Sequence, residues 1–295
     1  MKWSLLAIVV LASAASLCDA LRLSRGLRVK FNVGTGIGSD FFFVVPQTTI
    51  NAISDGWSIT SRADSTRRNL VMYCPPDRVL CGFFTRSGQI AGLQIALAKD
   101  EFSDAVFDWK KQGYTEWNPT PVAGETQKSF WTTQVFFVSE TSSKLNEDIA
   151  PSSNIDVLGE DAIWVSGFNK EMVEIPADAK KIENSIFTKQ ACIQWMGLHY
   201  YYNMTKETEC TSDGIFPWFP LVNSGKLEGV GFLTAGKLQL IDGRRDWFER
   251  PTESAVRMIV PEGPECLYNL AGTVGVVTMH IYFTDEPYLI ECIVN

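Results

Sequence analysis

The 295-residue sequence predicts a mainly β fold, all-β or β with a few short helices, built as two diverged tandem β repeats and cross-linked by disulfides. Three observations predict it. The chain holds many short runs of β-branched and aromatic residues, it resembles itself at an offset of about 140 residues, and it keeps an even cysteine count once a leader is removed.

The runs are LRVKFNV from Leu27, DFFFVV from Asp40, NLVMY from Asn69, IAGLQIAL from Ile90, TTQVFFV from Thr132, AIWVSGF from Ala162, LEGVGFLT from Leu227, AVRMIV from Ala255 and VVTMHIYF from Val276. Gly, Pro, Asn or Asp bound them, as turn residues bound strands. Eighteen Phe, nine Trp and eight Tyr add the aromatic bulk that packs well on pleated surfaces. Helical patterning is sparse: the best stretch is 104–111, with a second near 180–187.

Self-similarity comes next. Ser87–Leu93 (SGQIAGL) matches Ser224–Val230 (SGKLEGV) at an offset of 137. Asp108 and Trp109 match Asp246 and Trp247 at 138, TTQVFFVSE from Thr132 matches TMHIYFTDE from Thr278 at 146, and Gly56 matches Gly197 at 141. Matches in one order, with offsets drifting by a few residues, are the mark of duplication. The organisation read from them is a signal peptide over 1–20, a first β repeat over 21–145, a linker or surface loop over 146–174 and a second β repeat over 175–295. The polar stretch TSSKLNEDIAPSSN, with Pro151, lies between the repeats.

The leader follows from Lys2, the apolar core LLAIVVLA and the small residues before Asp19 and Ala20. Cleavage after Ala20 discards Cys18 and leaves six cysteines, which admit fifteen pairings. Locality suggests Cys74 with Cys81, Cys192 with Cys210 and Cys266 with Cys292, while crossed pairing stays open. Asn203, Met204 and Thr205 form a glycosylation acceptor, and Asn118 is disqualified by Pro119. A secreted, extracellular, soluble protein is expected, because no later stretch has the eighteen or so apolar residues of a membrane span.

With 26 basic and 34 acidic residues the formal net charge is -8. Pairs such as Arg67 with Arg68 and Arg244 with Arg245 are too short for a phosphate-binding stripe, so no nucleic-acid partner is expected.

Candidate chemistry rests on the only two histidines, His199 and His280, both in the second repeat. The repeat alignment puts Ser58 and Gln134 in their places, and sets Ala91 against Glu228. Two imidazoles and a carboxylate suit an acid–base pair or the face of a metal site, though no HExxH or HxH spacing names a metal. Trp195, Tyr200 and Trp218, in the segments around WMGLHYYYN and FPWFP, are candidate walls of an organic-ligand pocket; the plainer reading of most of these aromatic residues is hydrophobic core. In an unbroken strand His199 would share a face with Asn203, which argues for an exposed imidazole. There is no GxSxG elbow, phosphate loop or CxxC motif.

The segments CPPDRVLCGFFTRSGQIAGLQIAL, CIQWMGLHYYYN, GIFPWFPL and TMHIYF together resemble a group of secreted invertebrate proteins. The MGLHY element also resembles exported bacterial proteins that carry MGxH before an aromatic residue, and the whole chain is similar to the secreted luciferases of syllid fireworms. This resemblance implies a secreted oxidoreductase that oxidises a small organic substrate with molecular oxygen as co-substrate and emits light. It brings no assigned catalytic residues. The rival expectation is a non-enzymatic ligand-binding or structural protein on a duplicated β scaffold. A two-domain copper monooxygenase is disfavoured, since it needs more histidines than two.

Overall fold

Residues 26–30, 41–63, 67–121, 124, 126–141, 158 and 161–292 are described by the computed structural model. The leader with Cys18, and most of TSSKLNEDIAPSSN, lie outside them. Strands are numbered along the chain. One antiparallel path runs β3 (Ser58–Ile59), β4 (Val71–Cys74), β5 (Leu80–Phe84), β6 (Ile90–Ala98), β9 (Phe130–Phe136), β10 (Ala162–Ser166), β11 (Met172–Pro176), with β8 (Thr115–Trp117) also on β9. The other runs β12 (Phe187–Ile193), β13 (Gly197–Tyr202), β14 (Trp218–Asn223), β15 (Lys226–Ala235), β17 (Val276–Tyr282), β1 (Arg28–Lys30), β2 (Phe42–Val44). A small pairing of β7 (Phe102–Ser103) with β16 (Lys237–Leu238) ties the halves together.

The mainly β fold is as expected, and the disulfides are present. Both sheets bury one face against a shared core that draws on each, including Leu93, Ile95, Val135 and Ile163 from the first sheet and Tyr200, Trp218, Phe232 and Ile281 from the second. The outer faces hold separate apolar clusters, one around Met72, Phe83 and Phe136, the other around Phe219, Leu233 and Tyr282. The second sheet takes its last two strands, β1 and β2, from the start of the chain, whereas β10 and β11, which follow β9 in the chain, complete the first.

Helix α1 (Thr49–Ser54) links β2 to β3, and α2 (Ala179–Glu183) links β11 to β12. Both are capped by a polar side chain, Thr48 on the Asn51 amide and Asp178 on the Lys180 amide. The self-matching segments occupy like places: Ser87–Leu93 leads into and along β6 as Ser224–Val230 does for β15, and Thr132 stands on β9 as Thr278 stands on β17.

Several expectations are corrected. The stretch 146–174 is not linker throughout, since its last part supplies β10 and the start of β11, and the boundary at 175 falls inside β11. AVRMIV is not a strand but most of helix α3 (Glu253–Ile259). There Thr252 caps the Ala255 amide at 3.3 Å and Glu253 pairs with Arg257 one turn on, so capping and an i,i+4 ion pair outweigh β propensity. Helix α4 (Glu265–Thr273) follows it. Stretch 104–111 is irregular, with the Asp108 side chain accepting from the Lys110 and Lys111 amides instead of capping a helix. The 180–187 helix shrinks to α2.

Cys74 bonds Cys81 as locality suggested, but the other four cross: Cys192 with Cys292 and Cys210 with Cys266. The segment carrying Ile290 runs beside the turn that follows β12, where the Trp195 amide donates to the Ile290 carbonyl at 2.9 Å. That brings Cys292 to Cys192 and leaves Cys266, at the start of α4, for Cys210. Among the described residues no helix is long and apolar enough to cross a membrane.

Candidate functional site

Side chains alternate along strands, so His199 on β13, Phe219 on β14, Gly231 on β15, His280 on β17 and Lys30 on β1 all point to the outer face of the second sheet. The register agrees: His199 lies opposite Leu221, Phe219 opposite Gly231, Gly231 opposite His280, and His280 opposite Lys30. Past Lys30 the chain segment carrying Glu249 takes over beside β17. Glu249 and Thr278 exchange amide-to-carbonyl bonds of 2.8 and 2.9 Å.

The two imidazoles therefore meet, with ring centroids 5.8 Å apart at 80°. Both are enclosed: His199 is 0 % exposed and His280 4 %, beside Lys30 at 6 % and Glu249 at 4 %. Lys30 Nζ donates to Glu249 Oε1, and His280 Nδ1 donates to Glu249 Oε2. Burial pushes the Glu249 carboxyl up, but His280 and Lys30 overcome it and hold the group down at about 2. The carboxylate is ionised, so the proton of the His280–Glu249 bond sits on Nδ1.

His199 is tuned the other way. Burial drives it down to about 3 and neighbouring His280 adds to the shift, while the Gly197 carbonyl, the backbone at Ala191 and Glu249 oppose it. The ring is neutral near pH 7. Its Nδ1 donates to the Gly197 carbonyl at 3.0 Å, and its Nε2 is buried without a hydrogen-bond partner of good geometry. Tyr282 Oη is likewise buried without a partner, and burial pushes its hydroxyl well up, so it stays a neutral donor. Unsatisfied buried polar atoms are uncommon and call for an occupant or a functional reason.

The walls are aromatic. Phe219 stacks on Tyr201 at 4.7 Å and on His199 at 5.7 Å, and meets His280 edge-on at 5.4 Å. Gly231 admits that ring: a Cβ there would stand 1.9 Å from Phe219 Cζ. Val256 of α3, Val260 just past its end, and Leu267 and Tyr268 of α4 join the apolar cluster on this face.

The remaining candidates fall elsewhere. Glu228 is half-buried at the register shift of β15, three residues or about 10 Å along the strand from Gly231; the carboxylate on His280 is Glu249. Tyr200 and Trp218 turn to the core between the sheets, where Tyr200 Oη donates to Glu183 at 2.8 Å and Trp218 Nε1 to the Ser166 carbonyl at 3.1 Å. Each is one residue out of phase with the true walls, Tyr201 and Phe219. Trp195 sits in the β12–β13 turn, half-buried, with φ 66°. Asn203 does not share a face with His199, because β13 ends at Tyr202 and Asn203 leaves the strand at φ 42°. Among the described residues no three His, Cys, Asp or Glu side chains are grouped to hold a metal ion.

No family model, curated protein or solved structure matches the chain. The informative comparison is internal. By strand order and register, Met72 on β4 stands where His199 stands on β13, which replaces the alignment with Ser58; Gln134 stands for His280 as aligned. Thr115, opposite Thr132, takes the place of Glu249, and the β10 register puts Ser166 in the place of Lys30. Gln134 Nε2 bonds Gln94 Oε1 at 3.3 Å. At these matching positions the first sheet carries neutral residues, and the second a buried Lys, Glu, His, His set.

Proposed function

We propose that this chain is a secreted oxidoreductase of luciferase type, acting on a small organic substrate with molecular oxygen. The observation that carries the reading is the buried Glu249–His280 pair beside neutral His199, on one sheet and not on its counterpart. Buried charges are costly to a fold, and the matching positions of the first sheet hold neutral residues, Gln134 among them.

In this reading His280 Nε2 takes a proton from the substrate, Glu249 stabilises the imidazolium that results, and Lys30 helps keep Glu249 ionised. His199 Nε2 accepts a hydrogen bond from the substrate, and Tyr282 Oη donates one. Phe219 and Tyr201 give a flat, dry surface for an aromatic body. The substrate anion left by proton transfer is the electron-rich species that oxygen oxidises, with release of light.

The test is to mix wild-type or His280→Ala protein with extract of the source tissue, recording light and oxygen uptake. The variant should be secreted and folded, with turnover lower by roughly 10²–10⁴. Unchanged light and uptake would remove His280 from the reaction. A second reading, a non-enzymatic ligand-binding or structural protein, is favoured by the closure of the site under Phe219; it calls for no light and no oxygen uptake from wild type.

A further inference from the structure

We propose that Asn203 carries an N-linked glycan. Asn203-Met204-Thr205 is the single Asn-x-Ser/Thr tripeptide without proline in the sequence. The folded chain presents it well. Asn203 is exposed immediately past β13, at φ 42°, a left-handed conformation that asparagine tolerates better than most residues. Its backbone is fixed on both sides: the amide donates to the Ile186 carbonyl at 2.8 Å, and Thr208 Oγ1 donates to its carbonyl at 3.1 Å. Among the described residues the carboxamide has no hydrogen-bond partner for a sugar on Nδ2 to displace. Met204 points inward and is buried, whereas Thr205 faces solvent.

Seven residues on, Cys210 is disulfide-bonded to Cys266, a pairing formed in the oxidising compartments where such glycans are added. The donor is a lipid-diphosphate-linked oligosaccharide. Asn203 Nδ2 forms a bond to C1 of the first sugar, the C1–O bond to the diphosphate breaks, the lipid diphosphate leaves, and the amide nitrogen loses one proton; nothing is oxidised or reduced. The sugar stands beside Ile186, which is 47 % exposed at the entry to edge strand β12. A glycan there covers an apolar side chain and blunts a sheet edge. His199, four residues back, faces the enclosed side and is not obstructed.

The experiment expresses residues 21–295 behind a heterologous leader in a eukaryotic secretory line, so that it does not depend on the chain's own leader. The secreted protein is treated with a glycoamidase, and the peptide spanning residue 203 is sequenced by mass spectrometry. The expected result is a single-step mobility shift on treatment, with position 203 read as Asp, and loss of that shift in both Asn203→Gln and Thr205→Ala. Secreted wild-type protein with position 203 read as unmodified Asn, or a shift that survives both substitutions, overturns the proposal.

Discussion

Acidification from pH 7 to pH 5 should loosen the fold through His199. The folded chain holds this ring neutral down to about 3, whereas an unfolded chain takes up the proton near 6.5. Between those values protons favour the unfolded state, so the stability due to the neutral ring is fully present above about 6.5 and declines as pH falls toward 3. Linkage gives a loss of about 2 kcal/mol between pH 7 and pH 5. Glu249, held at about 2, acts in the same direction, but only below about pH 5, where an unfolded glutamate begins to protonate. The assay is urea unfolding followed by tryptophan fluorescence at both pH values, for wild type and for His199→Met, the residue found at the matching place of the other sheet. Wild type should lose about 2 kcal/mol more than the variant. An equal loss in the two proteins would refute the assignment of a buried, proton-resisting imidazole at position 199.

Other expectations follow from packing and topology. Gly231→Ala should destabilise by about 1–3 kcal/mol and reduce turnover, because the new Cβ meets a Phe219 ring wedged among Tyr201, His199 and His280; a thermal melt and a light assay read both, and an unchanged melt would show that the ring moves aside freely. Non-reducing peptide mapping should recover Cys192 linked to Cys292 and Cys210 linked to Cys266. Recovery of Cys192 with Cys210 would contradict the placement of the C-terminal segment beside the β12–β13 turn. Removing the Cys192–Cys292 bridge, which closes a 100-residue separation, should cost about 2–5 kcal/mol.

The mainly β class was legible because its signal is local: nine runs pointed to strands and eight of them contribute one. AVRMIV failed because its β-branched composition says strand while Thr252 and Glu253 just ahead of it cap a helix, and the cap prevailed. Of the site, the two histidines were visible as rare residues, but their partners were not. Tyr201 and Tyr282 were within reach, since period-2 alternation from His199 and His280 lands on them; Tyr200 and Trp218 share the aromatic character but not that phase. Glu249 and Lys30 had no such signal. They stand 219 residues apart and meet only because β1 crosses to the second sheet, a long-range pairing that no local pattern reports.

That crossing also suggests how to separate function from scaffold in the buried quartet. Breaking a buried ion pair from one side leaves an unpaired charge, so Glu249→Gln alone should cost about 3–5 kcal/mol, with Lys30 and His280 both stranded. Removing the charges together is different: Lys30→Met, Glu249→Leu and His280→Leu in one chain should recover most of that loss, because apolar groups of similar volume are commonly neutral or stabilising by about 1–4 kcal/mol relative to a buried ion pair. The first sheet already folds around Ser166, Thr115 and Gln134 at these places. A triple variant that melts like wild type yet gives no light and no oxygen uptake would mean the charges serve the chemistry. One that unfolds as readily as Glu249→Gln would mean they hold the second sheet together, and the structural reading would then be preferred.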